Sequence, residues 1–273
     1  MESNNTTSFL HDGSIGDVWA SLPAIKEYYR KTNKKAVLYL TNGQVAIYYE
    51  GAKHPTKDSE GRQVMLNEKM INMMIPLLKA QYYIADAKIH EGEKIDIDLN
   101  IIRQTFINMP YGDIRRWYFY IYPDLSCDLS KQYIEVPDSK LCLTKGKLLV
   151  ARTERYNNIN INYSFLKKYE NDIMFTGTVF EYDRFCKDFD LKILKFNVDN
   201  FLELAQGLKQ SVGLLSNQTM VFQLAEAMKI PRIVELCHFA PNVIPIGENA
   251  YDFYAQTAVE YYVEVLLNKK PTN

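Results

Sequence analysis

The chain has 273 residues and a mass of 31.8 kDa; 47% of its residues are hydrophobic, 24% are charged, and the formal net charge is -1. This is a soluble globular composition with room for two domains, and its near-zero charge argues against affinity drawn mainly from a nucleic-acid backbone. No apolar run approaches the roughly 18 residues of a membrane span, and the opening MESNNTTS lacks a signal-peptide apolar region, so the cytoplasm is the expected location.

In that setting the Asn-x-Thr match at Asn4 carries no glycosylation. Cys127, Cys142, Cys186 and Cys237 are scattered, with neither a CxxC pair nor a His at ligand spacing. Reduced thiols are expected, and no bound metal. The 20 tyrosines, beside abundant Lys, Asn and Ile, read as coding bias rather than as a stacking platform.

Residues 8–12 read as a strand and 16–30 as a helix, with Val18, Leu22, Ile25 and Tyr29 on one face and Pro23 bending its second turn. Between them lies a turn with Gly13, Ser14 and Gly16, ending in Asp17. Glycines allow a close approach to the backbone, and the first helical N–H groups stay free to bind a ligand. Asp17 has two readings: a first-turn acid stabilised by the helix dipole, or a base aimed into a cleft.

KAVLYL at 35–40 is a second strand, so the chain opens as the start of a parallel sheet. Residues 41–62 read as a polar loop or hairpin, 65–80 as a helix whose Met70, Met73 and Met74 pack into the core, and 82–90 as a strand. Asp96 and Asp98 share one side of a short strand pattern over 96–100, without a third ligand for a metal. The aromatic stretch 103–128 carries Arg115 and Arg116 beside Trp117, candidates for an acceptor contact or a solvated helix face. The polar segment 130–146 reads as the boundary between domains 1–146 and 147–273.

From Lys147 strands and helices alternate: strands at 147–152, 172–176, 191–196, 212–216 and 232–236, and helices at 163–170, 179–188, 201–211, a segment within 217–229, and 257–268. This predicts an α/β chain of two doubly wound, Rossmann-like domains facing a cleft. Three turns at strand ends face that cleft. Arg152 and Arg155 suit a diphosphate or make surface ion pairs. Gly177 precedes Glu181, which takes ribose hydroxyls or is an ordinary surface acid. Asn217, Gln218 and Thr219 precede a helix bearing Gln223, whose free N–H groups form a neutral anion cradle. Glu235 ends the next strand and points at the same edge. No Walker A sequence or GxGxxG is present.

Two of these stretches together resemble the heptosyltransferase-type glycosyltransferases of the GT-B fold, glycosyltransferase family 9. The first is Gly13-Ser14-Ile15-Gly16-Asp17 followed by SLPAI; the second is NQT followed by LAEAMKIP. The resemblance implies an acceptor domain whose S-x-G-D turn supplies Asp17 as general base, and a donor domain for a nucleoside-diphosphate sugar. Thr219, Leu224, Ala225, Ala227 and Pro231 fit the family's donor turn, whereas Gln218 stands where it has Asp, Met220 where it has Gly and Gln223 where it has His.

The expected reaction is an inverting, metal-independent sugar transfer to an acceptor hydroxyl, with no cofactor beyond the donor. Ser14, Gly16, Arg152, Arg155, Gly177, Glu181, Asn217, Gln218, Thr219 and Gln223 would bind donor. Arg115 and Arg116 would meet the acceptor, and the domains would close over the donor. Two alternatives stay open. One is a glycosyltransferase acting on DNA bases, supported by Arg115, Arg116 and Lys53 to Lys57. The other is a non-catalytic nucleotide-sugar-binding protein, suggested by the altered donor turn.

Overall fold

The computed structural model describes residues 5–47, 54–109, 111–139 and 143–268. Asn4, Lys53 and Cys142 lie outside them. In the first half, β1 (Thr6–His11), α1 (Ile15–Thr32), β2 (Lys35–Leu40), α2 (Glu68–Lys79), β3 (Ile84–Ile89), β4 (Ile97–Asp98) and α3 (Ile114–Ile121) follow one another. The strands form a parallel sheet of order β3-β2-β1-β4, with Phe9 opposite Leu38.

In the second half, β5 (Leu148–Ala151), β6 (Ile173–Phe175), α4 (Val179–Phe189), β7 (Leu194–Lys195), α5 (Phe201–Gln210), β8 (Gly213–Asn217), α6 (Met220–Met228), β9 (Arg232–Glu235), β10 (Ala250–Phe253) and α7 (Gln256–Asn268) follow. They build a parallel sheet of order β10-β9-β8-β5-β6-β7. β5 and β8 are buried along their whole length, as strands covered on both faces must be, and this is why they read as continuous apolar runs.

Five readings change, the first being the strand at 191–196, which keeps only Leu194–Lys195. α1 runs through Pro23 to Thr32 and ends on Asn33 in the left-handed conformation (φ 55°). Residues 163–169 form a 3-10 helix capped by Asn162, not an α-helix. β10 was hidden by the polar, exposed character of its middle. The 96–100 strand shrinks to two residues and gives way to a 3-10 turn over Leu99–Gln104. There Asp96 accepts from the Ser8 backbone N–H (2.9 Å) and hydroxyl (2.8 Å), while Asp98 caps the turn through the Asn100 N–H (2.9 Å). Among the described residues no three His, Cys, Asp or Glu side chains gather as metal ligands, and no helix is long and apolar enough to cross a membrane.

The main core spans both halves. Phe9, Val18, Trp19 and Leu22 of the first belong to one buried cluster with Phe201, Leu204, Phe222 and Leu224 of the second. A smaller cluster under α4 and α7 belongs to the second half alone. The α1 and α6 helices pack on each other, and their N-termini open onto the same space.

Candidate active site

A cavity of about 1590 Å³ lies at the carboxyl ends of the strands of both sheets. The sequence dictates its position, because every β-to-α turn of a parallel sheet emerges on that edge. Its walls include the N-termini of α1, α4, α5 and α6.

Asp17 sits three residues past the N-cap Ser14 and lines the cavity. Its Oδ2 accepts the Ser14 N–H at 2.8 Å and lies 3.4 Å from the Arg103 guanidinium. Its Oδ1 has no partner among the described residues. The carboxylate is thus tethered by one oxygen and open at the other. Arg103 also lies 3.5 Å from Asp12, whose carboxyl is raised above the usual range, chiefly by burial. Nothing in the local sequence marked Arg103; it reaches the turn from a 3-10 helix 86 residues away.

Behind the turn, His11 is buried and held down to about 4, first by desolvation. It is therefore neutral at pH 7. Its Nδ1 accepts the Gly13 N–H at 2.9 Å, so the hydrogen-bond network places the proton on Nε2. Nε2 donates to the Tyr118 hydroxyl at 2.8 Å, which donates to the Asp17 carbonyl at 3.1 Å. Gly13 is required by this crowding: a Cβ there would lie 2.6 Å from His11 Cε1 and 2.7 Å from Asp17 Cβ. Gly16 is not so constrained, since its Cβ would meet Gln223 Cγ at 3.7 Å and Met220 Cα at 3.8 Å, ordinary contacts. Those contacts also measure how closely the Asp17 turn approaches the start of α6.

On the other wall, Thr219 caps α6 by accepting the Phe222 N–H at 3.1 Å, and Met220 and Val221 follow it along the cavity. As the first two helical residues, their N–H groups have no partner within the helix. Gln223 is buried on the cavity wall, with no partner for its Oε1 among the described residues. Arg155 and Gly177 line the cavity too, and Gly177 is held at φ 151°, where a Cβ would press to 2.9 Å from Phe175.

Several expected ligand contacts also serve the scaffold, although Arg152, Glu181 and Gln218 still line the cavity. Asn217 is fully buried and off the cavity; its amide pairs with both backbone groups of Thr153 (3.1 Å each) and donates to Arg155 O at 2.6 Å, holding the arginine turn in shape. Gln218 borders the cavity but spends its amide on the segment after β9. Glu181 closes a capping box with Thr178, accepting its N–H at 2.9 Å and its hydroxyl at 2.8 Å. Arg152 is tied to Glu235 at 3.0 and 3.3 Å and lies over the Tyr163 ring. Glu235 does not point at the cleft; it is wholly buried and also accepts from Tyr163 and the Asn158 N–H.

Arg115 is corrected as well. It is buried between Asp113 and Glu226, its guanidinium reaching from α3, which packs on α1, to α6, and cannot meet an acceptor. Arg116 is exposed and away from the cavity. Trp117, by contrast, lines it, a role that the aromatic run concealed among equivalent rings.

The architecture is that of the GT-B glycosyltransferases. Escherichia coli ADP-heptose LPS heptosyltransferase II superposes with a TM-score of 0.62 at 10% identity, covering 97% of this chain and 99% of that one. E. coli heptosyltransferase WaaC, in a structure with ADP-2-deoxy-2-fluoro heptose, gives 0.58 at 12% identity over 95% and 99%. A family 9 glycosyltransferase from Veillonella parvula gives 0.55 at 10% identity over 98% and 91%. No protein-family model matches the chain, and no curated protein matches it by sequence. At these identities the likeness is one of fold.

Proposed function

We propose that the protein transfers a sugar from a nucleoside-diphosphate sugar to an acceptor hydroxyl with inversion. The carrying observation is that a half-tethered carboxylate, Asp17, and the free N–H groups at the start of α6 face one cavity from opposite halves of the chain. Asp17 Oδ1 takes the acceptor hydroxyl proton as the acceptor oxygen bonds the anomeric carbon. The bond to the diphosphate breaks on the opposite face, and the diphosphate leaves with the electron pair. The N–H groups of Met220 and Val221, the α6 dipole and the Arg155 guanidinium receive the charge. A saccharide acceptor fits this chemistry.

ADP is the first nucleotide to offer, since E. coli heptosyltransferase WaaC, of this fold, has been solved with ADP and with an ADP-sugar. A thermal-shift screen of nucleoside diphosphates and their sugars tests the donor site, because a ligand of the native state raises Tm by mass action. Turnover of the selected sugar with saccharide acceptors, in wild type and Asp17→Asn, then tests transfer. Absence of any shift sinks the donor site; undiminished turnover in the variant sinks the base.

A second reading, nucleotide-sugar binding without transfer, is favoured by one observation: Gln218 and Asn217 of the donor turn serve the scaffold. Detectable glycosyl product rules it out. The DNA reading loses Arg115, which is buried, while Lys53 lies outside the described residues.

A further inference from the structure

The segment after β9, residues 237–248, crosses from the second half of the chain to the first and is fastened along its length. Gln218 Oε1 accepts the Cys237 N–H at 2.6 Å, and Gln218 Nε2 donates to Ala240 O at 2.7 Å and Asn242 Oδ1 at 3.1 Å. Asn242 then grips the first half: its carbonyl accepts the Ile114 N–H and its Nδ2 donates to Met109 O, both at 2.9 Å. Farther on, Arg115 donates to Ile244 O at 2.7 Å, and Lys229 to Ile246 O at 3.0 Å.

Beneath this segment, Glu226 of α6 is buried among Arg115, Lys229 and Arg232. Beside it, the N–H groups of Tyr133 and Ile134 both reach Ala227 O, at 3.0 and 3.2 Å. Domains that hinge meet through small, rather polar interfaces. Here an opening motion would part a shared apolar core and pull Arg115 of the first half away from the buried Glu226 of the second.

We propose that residues 237–248 are a permanent strap, anchored at the site by Gln218, and that the cleft is preformed and works without hinge closure between the halves. The strap accounts for the amide at position 218. A carboxylate would still accept from Cys237, but it would offer no hydrogen to Ala240 O or Asn242 Oδ1 and would repel both. The departure from the family's acid therefore follows from the fastening of the cavity wall. Rigidity of the cleft does not depend on which sugar it takes.

Spin labels on an encoded keto amino acid at the exposed positions 34 and 187 place one reporter on each half without touching the native cysteines. Pulsed EPR on the full chain is expected to give one narrow distance distribution, unchanged by saturating ADP. Two populations, or a peak that moves with ADP, overturn the proposal. Gln218→Met keeps the side chain's length and removes its hydrogen bonds. It is expected to speed amide exchange at Cys237 and Ile114 by roughly tenfold, the loss of one or two bonds. Unchanged exchange at both would remove Gln218 as the anchor. Titration calorimetry with ADP on the same sample separates the two conclusions: no heat overturns ADP as donor nucleotide, while the distance distribution without ligand still decides the strap.

Discussion

The two turns that face each other across the cavity are built on opposite plans. The Asp17 turn offers its side chain to the cavity and spends its backbone inward, on His11 and Asp17 itself. The Asn217–Thr219 turn does the reverse. Its Asn and Gln amides face into the protein, and what it presents is the bare start of α6. One turn is equipped to move a proton and the other to hold an anion. Substitutions in the first should therefore read out in turnover, and in the second in binding and stability.

The largest effect is expected from Asp17→Asn, which keeps the shape of the first turn and removes the base. Turnover should fall by about 10² to 10⁴-fold, the usual worth of a positioned base, with donor affinity and Tm nearly unchanged. A parallel loss of Tm would show that the two turns are not divided in this way.

Asn217→Ala is the counterpart. It strands the Thr153 backbone groups and the Arg155 carbonyl in a dry setting, at a cost of about 3 kcal/mol, a drop in Tm of roughly 10 °C. Calorimetry should show weaker ADP binding as the Arg155 turn relaxes.

Acid tests the first turn against the loop that carries His54. His11 and His54 are both held down to about 4, each mainly by burial, against an ordinary value of 6.5. The unfolded chain therefore binds protons that the folded chain refuses. Stability is complete above pH 6.5 and drains as pH falls toward 4, by up to about 3 kcal/mol for each histidine. Replacing His11 by Gln should flatten the part of the urea-midpoint curve that belongs to the first turn, leaving the His54 part in place.

The smallest effects come as a pair. Gly13→Ala must displace His11 or Asp17 and should cost about 1–3 kcal/mol with a loss of turnover. Gly16→Ala meets only ordinary contacts and should be nearly silent in both assays, although the two glycines look interchangeable in the sequence.

Local signals made much of this legible. The alternation of apolar strands with capped amphipathic helices yields the two parallel sheets, and Asp17 stands out because its turn, cap and helix are contiguous. The partners that decide what each residue does are remote. Arg115 keeps two readings, acceptor contact or solvated face, until Glu226, 111 residues on, is found against it, and Arg152 keeps two, diphosphate ligand or ion pair, until Glu235 is found beside it. Sequence shows a cation; only the fold shows which anion reached it first.

Four helix starts converge on a cavity in a chain whose net charge is only -1. Their attraction for an anion comes from partial charges that fade within a helical turn, not from a field spread over the surface. A diphosphate should therefore diffuse in almost unsteered, at a rate that added salt barely changes. What holds it is met only on arrival, so its grip will be written in the dissociation rate.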